Sequence, residues 1–268
     1  YYRTFNQYDK ALALMQESEG LFRQLGDRNS LAIVLFNEGK VLNAMGRYDK
    51  SLTLFNESLA LNRQAKNDQG IAGALILIGN AYAGLGRYDK PLAYYQEALA
   101  INRRIKNEIE VATSLRNIGD AYCDLMERDR AIPYYNQSLD ILRRLNARSD
   151  MVLTYTNMGA LYQALDQYDK ALSYYKESLQ ISKALDNSAM TATNLNNIGH
   201  SYASLGRSDE ALSYFRQSLE LEKRLNRPQK KAIVLNNVGM EYFRLGQYEN
   251  ALAYLNEALR LERQLNNA

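Results

Sequence analysis

One recurring stretch decides the fold, and its clearest copy is Leu195–Ser218, LNNIGHSYASLGRSDEALSYFRQS. The glycine of this copy recurs every 40 residues along the chain, without an insertion or a deletion. A strict period of this length is typical of repeat proteins, in which each unit is one supersecondary element. The glycine series is Gly39, Gly79, Gly119, Gly159, Gly199 and Gly239.

Each unit is predicted to form two helices. Apolar residues in the first half of a unit are separated by steps of three and four, as in Val111, Leu115 and Ile118, and this spacing places them on one face of an α-helix. A second glycine, as in Gly46 and Gly206, stands where a left-handed residue ends a helix. The second half repeats the apolar pattern, and an aspartate is expected in its first turn, where it favours the helix dipole. These aspartates are Asp9, Asp49, Asp89, Asp129, Asp169 and Asp209.

The period also predicts the organisation of the chain. We expect an all-α fold in which residues 1–268 form a single array, because one hairpin cannot bury its apolar face alone whereas stacked hairpins can.

Tyr2 and Phe5 match Tyr82 and Leu85, so the chain is expected to open near the end of a first helix, followed by a lone second helix at about Tyr8 to Leu25. Without a polar capping helix at either end, the chain is expected to be a piece of a longer protein that carries effector domains. The expected units are a partial unit at 1–28 and complete repeats at 29–68, 69–108, 109–148, 149–188, 189–228 and 229–268.

Composition argues against several classes of protein. The formal net charge is only +3, with no basic stripe, so nucleic acid is not an expected partner. No apolar run approaches the roughly 20 residues of a membrane span. One cysteine and one histidine leave no basis for a disulfide framework, a metal site or a cofactor, and we expect a cytoplasmic protein.

Tyrosine is unusually frequent, with 21 copies, and several stand in pairs such as Tyr94-Tyr95 and Tyr134-Tyr135. Such pairs could stack on nucleic-acid bases. Because they recur at the repeat period on a second helix, we expect them instead to pack between repeats, with one hydroxyl edge exposed to water.

The pattern resembles the tetratricopeptide repeat over essentially the whole chain. The unit is 40 residues long where the usual repeat has about 34. Leucine replaces the usual tryptophan, and the closing proline is missing. The longer unit looks like the subclass found in Pins-type polarity adaptors, kinesin light chains and bacterial peptide-sensing regulators. This resemblance implies a right-handed superhelical solenoid whose first helices line a concave groove for a peptide. The residues that carry the resemblance are Leu195, Gly199, Tyr202, Gly206, Ala211, Phe215 and Ser218.

A column of asparagines marks the face of the first helices that should line this groove. Asparagine is a mediocre helix former, so its recurrence at one helical position needs a reason. A carboxamide offers a donor and an acceptor, which match a peptide unit. The alternative is that each asparagine bonds to the neighbouring repeat and stabilises the stack. The column is Asn37, Asn117, Asn157, Asn197 and Asn237, interrupted by Leu77; the candidate groove also includes Phe36, Ile76 and Arg116 from the adjacent column, and His200.

No catalytic arrangement is apparent, and we expect a protein that is not an enzyme. Cys123 lies beside Asp120 and Asp124, which should raise the pKa of the thiol rather than activate it. His200 is interpreted as a surface residue of the groove face. No phosphate-binding loop or nucleophile elbow interrupts the repeats.

The expected function is therefore that of an adaptor that binds another protein or a peptide. Two alternatives stay open. Uncapped ends could stack into a self-associating scaffold, or a bound peptide could change the pitch of the array and signal to another domain of a longer protein.

Overall fold

The computed structural model describes the backbone of residues 2–266 and the side chains of residues 8–265. Within these residues the chain contains thirteen α-helices and no β-strand, so the all-α fold class is confirmed. No helix among them is long and apolar enough to cross a membrane. The helices are α1 (Tyr2–Leu25), α2 (Arg28–Ala44), α3 (Tyr48–Gln64), α4 (Asp68–Gly84), α5 (Pro91–Arg104), α6 (Glu108–Asp124), α7 (Arg128–Arg144), α8 (Arg148–Ala164), α9 (Tyr168–Ala184), α10 (Ser188–Ser204), α11 (Ser208–Arg224), α12 (Pro228–Arg244) and α13 (Tyr248–Asn266).

The helices pair in chain order into six hairpins, from α2/α3 to α12/α13. The chain divides into two compact units, residues 1–141 and 142–268, and the boundary falls inside α7. In unit 1, α4 brings the buried side chains of Leu75 and Ile78 into a core that α3 and α5 complete. In unit 2, Leu195, Ile198 and Leu235 play the same part for α10 and α12.

The recurring glycine allows the two helices of a hairpin to interlock. A Cβ atom built on Gly79 would lie 2.4 Å from Cε1 of Tyr95, and one on Gly199 would lie 2.6 Å from Cδ1 of Phe215. Carbon atoms in contact are normally about 3.5–4.0 Å apart, so only glycine admits the ring. The same ring-over-glycine contact recurs at Gly39, Gly119 and Gly159, while Leu255 takes the place of the ring against Gly239.

A buried serine adds a hydrogen bond to most of these hairpins. The hydroxyl of Ser58 donates to the carbonyl oxygen of Ala32 at 2.8 Å, across from α3 to α2. Because the serine is fully buried, this bond satisfies a polar group that would otherwise be costly to desolvate. The equivalent bonds are made by Ser138, Ser178 and Ser218.

The tyrosine pairs make a contact within the hairpin that was not expected. A tyrosine of the first helix stacks on the first tyrosine of the pair in the same hairpin, as in Tyr82 on Tyr94 with ring centroids 5.5 Å apart. The second tyrosine of the pair, such as Tyr95, packs on the glycine of its own hairpin. The pairs therefore pack within the hairpin of their own repeat, because both partners lie on its facing sides. The other stacks are Tyr122/Tyr134, Tyr162/Tyr174, Tyr202/Tyr214 and Tyr242/Tyr254.

The turns agree with most of the expected signals. Gly46 and Gly206 adopt φ values of 74° and 73°, which is the left-handed conformation predicted for the ends of first helices. Asp49 lies in the first turn of α3 as expected. Asp89 does not lie in a helix, because α5 begins only at Pro91. Proline suits the first position of a helix, since its ring fixes φ and the N–H group that it lacks would have no partner within the helix there.

The start of the chain also differs from the expectation, which was the end of one helix followed by a second helix from about Tyr8. α1 runs without a break from Tyr2 to Leu25. The few residues that precede the expected turn are too few to form an arm of a hairpin, and continuing the helix satisfies their backbone hydrogen bonds. The side chains of Tyr2 and Phe5 lie outside the described residues.

Candidate functional site

The first helices of unit 1 line an open cleft of about 600 Å³. Four of the residues predicted for the groove, Phe36, Asn37, Ile76 and Leu77, meet there, from α2 and α4. Ile33 is 61 % exposed beside them, so apolar surface is accessible at this face. The rest of the lining is Ala32, Lys40, Asn62, Asn67, Gln69, Gly70, Gly73, Asn102 and Glu110.

Two glycines of α4 keep this cleft open. A Cβ atom on Gly73 would already be in contact with the ring of Phe36, at 3.5 Å. A Cβ atom on Gly70 would collide with Oδ1 of Asn62, at 2.0 Å. Asn62 accepts a hydrogen bond from Asn67 Nδ2 at 2.8 Å, and Asn67 Oδ1 in turn accepts one from the backbone N–H of Gly70. These amides form a polar border to the apolar part of the cleft.

The asparagine column in unit 1 is only partly accessible. Asn37 is half-buried in the cleft, as is Leu77. Asn117 is 7 % exposed, and its Oδ1 accepts a hydrogen bond from Arg116 at 3.5 Å. Arg116 and Asn117 are not part of the cleft lining. Asn37 is therefore the unit 1 asparagine placed best to meet a ligand.

Unit 2 carries the other three asparagines of the column, and Asn157, Asn197 and Asn237 are all half-buried. Nδ2 of Asn237 donates to Oδ1 of Asn196 in the preceding repeat at 2.9 Å. A bond between neighbouring repeats is what the alternative, structural role of the asparagine column predicts. The bond fixes the orientation of the Asn237 carboxamide, and its Oδ1 can still accept a hydrogen bond from a ligand.

His200 lies on the exposed side of α10, in the same unit. Partial desolvation lowers the pKa of its imidazole, and the cation of Arg244 lowers it further. The side chain is therefore neutral at physiological pH and can offer one donor and one acceptor.

Tyrosine hydroxyls on the second helices contact the first-helix face, and sequence reasoning missed them. The ring of Tyr95 passes Gly79 and its hydroxyl donates to Oδ1 of Asn80 at 2.7 Å. Tyr135 passes Gly119 in the same way and donates to Oδ1 of Asp120 at 2.5 Å. Burial raises the pKa of both phenols, so each hydroxyl stays a donor. The recurrence of tyrosine sixteen residues after the glycine was the available signal.

Cys123 is unsuited to nucleophilic chemistry. Its Sγ lies 3.6 Å from the hydroxyl of Tyr135. Burial raises the pKa of the thiol, and the carboxylates of Asp120 and Asp124 raise it further. The predicted direction is confirmed, but burial is a larger cause than the two aspartates. Among the described residues, no group of three or more histidine, cysteine or acidic side chains could hold a metal ion.

Comparison with known proteins identifies the repeat. The sequence profile described as "Tetratricopeptide repeat" matches residues 1–64, 70–144, 150–224 and 196–264. No curated protein sequence matches the chain.

Several crystal structures share the fold at low sequence identity. The apo form of RapI aligns with a TM-score of 0.77 and 16% identity, over 100% of this chain and 96% of RapI. Aspartyl phosphate phosphatase F from Bacillus subtilis aligns with a TM-score of 0.75 and 14% identity, over 98% and 69% of the two chains. A Rap protein complexed with competence and sporulation factor aligns with a TM-score of 0.73 and 16% identity, over 100% and 73%.

Proposed function

Because the chain belongs to the tetratricopeptide repeat family, we propose that it binds a segment of another protein along the exposed face of its first helices. The observation that carries this proposal is the cleft of unit 1, where Ile33, Phe36 and Leu77 provide an apolar surface beside the carboxamide of Asn37 and Ile76 is buried behind it. Such a combination of apolar wall and few polar groups is typical of ligand sites in proteins.

The cleft favours an apolar side chain of the bound segment. Ile33, Phe36, Ile76 and Leu77 lie on one face of α2 and α4, and the ammonium of Lys40 lies 5.8 Å from the centroid of the Phe36 ring. Complete burial of a leucine-sized side chain contributes about 1.5–3 kcal/mol. The carboxamide of Asn37 can hold the backbone of the same segment through one or two hydrogen bonds of about 0.5–1.5 kcal/mol each.

Unit 2, taken by itself, offers a bound segment asparagines in place of an apolar cleft. Asn157, Asn197 and Asn237 recur on three successive first helices, and each carboxamide can pair with a peptide unit. The hydrogen bond between Asn237 and Asn196 presets one of these carboxamides, which reduces the entropy lost on binding. A peptide held in this way is recognised mainly through its backbone.

The fold can accommodate a partner, since one protein with this fold is a Rap protein complexed with competence and sporulation factor. Another is a phosphatase, and that activity belongs to that protein. In this chain the only cysteine has a raised pKa and the only histidine stands alone on an exposed face, which supports a binding role rather than a catalytic one.

The first test uses a random peptide library displayed on phage and selected against the whole chain. Ile33→Asp places a charge in the cleft, whereas Leu14→Asp changes an equally exposed leucine on α1; the two positions are 61 % and 66 % exposed. We expect Ile33→Asp to weaken the selected peptides at least tenfold and Leu14→Asp to leave them unchanged. Equal effects of both variants, or no selected peptide at all, would contradict binding at this cleft.

The second test addresses the asparagines. We expect Asn157→Ala/Asn197→Ala to weaken a selected peptide roughly tenfold, because two hydrogen bonds are lost. The thermal midpoint should change less than the affinity. A collapse of the midpoint with unchanged affinity of the folded fraction would show that the column is structural.

Self-association is a second candidate function, and the exposed leucines of α13 favour it. Leu212 and Leu219 of α11 are each 6 % exposed, whereas their equivalents in α13, Leu252 and Leu259, are 60 % and 43 % exposed. A second copy of the chain could cover this face, since two such faces would bury each other. Light scattering at rising concentration tests it: Leu252→Glu/Leu259→Glu should abolish any dimer. A parent protein that stays monomeric at millimolar concentration excludes this function.

A further inference from the structure

A buried glutamate in α2 occupies a position where every other repeat has a core residue. Glu38 is only 4 % exposed. Its equivalents are all apolar, so the fold itself does not require a carboxylate here. These equivalents are Ile78, Ile118, Met158, Ile198 and Val238.

The carboxylate of Glu38 is only half satisfied. Its Oε1 accepts a hydrogen bond from Nε2 of Gln16 at 3.2 Å. Its Oε2 is buried and accepts no hydrogen bond from any residue that the structure describes. A buried acceptor without a donor is costly, and an aliphatic residue would stabilise the fold better. A ligand that supplies the missing donor explains why a carboxylate stands at this position.

Glu38 lines a cleft of about 300 Å³ that is separate from the cleft around Phe36 and Asn37. Its lining joins three chemistries: the apolar walls of Leu12, Leu42 and Leu54, the carboxylate and amide of Glu38 and Gln16, and two exposed cations. The cations are Arg47 and Lys50, and Thr53 completes the lining. The volume corresponds to the lower end of ligand sites in proteins.

We propose that this cleft binds a small aliphatic group that carries a primary ammonium at one end and a carboxylate at the other. The ammonium donates to the carboxylate of Glu38, and the methylene stem lies along the leucines. The carboxylate pairs with Arg47 and Lys50 near the opening. A ligand with the ammonium alone would be repelled by the two cations, and a ligand with the carboxylate alone would leave Glu38 unsatisfied.

The charged groups around the cleft give binding a defined pH dependence. Burial raises the pKa of Glu38, and the bond from Gln16 opposes this. The carboxyl of Glu19 raises the pKa again, both through its charge and through a hydrogen bond between the two side chains. Glu19 is itself paired with Arg23 at 2.8 Å. Because the ammonium pairs with ionised Glu38, affinity should fall as the pH drops through the pKa of Glu38.

The required groups occur in a free ω-amino acid and in a protein segment where an acidic residue follows lysine. Calorimetric titration of the whole chain with four probes distinguishes these sources: 6-aminohexanoate, hexylamine, hexanoate and N-acetyl-lysyl-glutamate. We expect 6-aminohexanoate to bind at least tenfold more tightly than hexylamine or hexanoate. Tighter binding of the dipeptide than of 6-aminohexanoate assigns the site to a protein segment, and the reverse order assigns it to a small molecule.

Variants of the chain complete the test. Glu38→Ile installs the residue of the next repeats, so it should fold with higher stability and lose binding at least tenfold. Glu17→Gln removes an exposed carboxylate from α1 and should change neither property. Arg47→Ala/Lys50→Ala should abolish the advantage of 6-aminohexanoate over hexylamine. The proposal is overturned if no probe binds, or if probes bind equally to the parent and to Glu38→Ile.

Discussion

Replacing Gly79 by alanine gives a sharp test of the interlocked hairpins. In an open helix this change stabilises by about 0.8–1.0 kcal/mol, because glycine has the poorer helix propensity. At Gly79, however, the new Cβ atom would lie 2.4, 2.8 and 3.0 Å from Cε1, Cζ and Cδ1 of Tyr95. Those separations fall short of ordinary carbon contacts by up to about 1 Å.

The ring has little freedom to move away. Tyr95 is 4 % exposed, and its hydroxyl is held by Asn80 at 2.7 Å. Overpacking of this kind costs about 1–3 kcal/mol, and loss of the hydroxyl bond adds about 0.5–1.5 kcal/mol. After the gain in helix propensity is subtracted, Gly79→Ala should destabilise by about 2 kcal/mol.

The assay is urea unfolding followed by circular dichroism, with Gly20→Ala as the matched control. Gly20 lies in α1, and no atom lies within 4 Å of the position that an alanine methyl group would take there, so its variant should be stabilised. Combining Gly79→Ala with Tyr95→Leu should cost less than the two changes separately, because the smaller side chain relieves the overlap. The reasoning fails if Gly79→Ala raises the urea midpoint as Gly20→Ala does.

Three side-chain environments give further predictions. Arg227→Ala should destabilise by about 3–5 kcal/mol because it leaves the 2 % exposed Glu222 without its partner, whereas Arg224→Ala in an exposed pair should cost under about 1 kcal/mol in the same urea assay. Cys123 should react with a disulfide reagent more slowly at pH 8 than a free cysteine peptide, and an equal rate would contradict the raised pKa of its thiol. His200→Gln should lose less stability than the parent when the pH falls from 7 to 5. The pKa of His200 is lowered in the folded protein, so the unfolded chain takes up the proton first. The folded state of the parent is therefore destabilised as the pH drops below 6.5.

The fold could be predicted from sequence because the same pattern of glycine and apolar residues recurs in every repeat. The spacing of Gly39 and its successors determines the length of each unit, and the steps of three and four residues determine which face of each helix is buried. The position of Asn37 beside Leu77 and Phe36 followed from the same helical spacing.

Other features depend on which neighbour covers a face, and periodicity does not contain that information. The stacking partner of Tyr94 is Tyr82 of its own hairpin, although a residue of the next repeat would satisfy the same apolar pattern. The hydroxyl of Tyr95 reaches Asn80 only because two helices cross closely at a glycine. The burial of Glu38 could not be predicted, because a single departure from an apolar column weakens the helical pattern only slightly.

The contacts inside each hairpin have a consequence for how such a repeat protein can evolve. The ring on the glycine, the stacked tyrosines and the serine bond all join residues of the same 40-residue unit. Duplicating or deleting one unit therefore leaves these contacts intact in every remaining hairpin, and only the junction between two neighbours must be matched anew. Gene duplication could lengthen such a protein by whole repeats, and each copy could then diverge on its exposed face while its interior stayed the same.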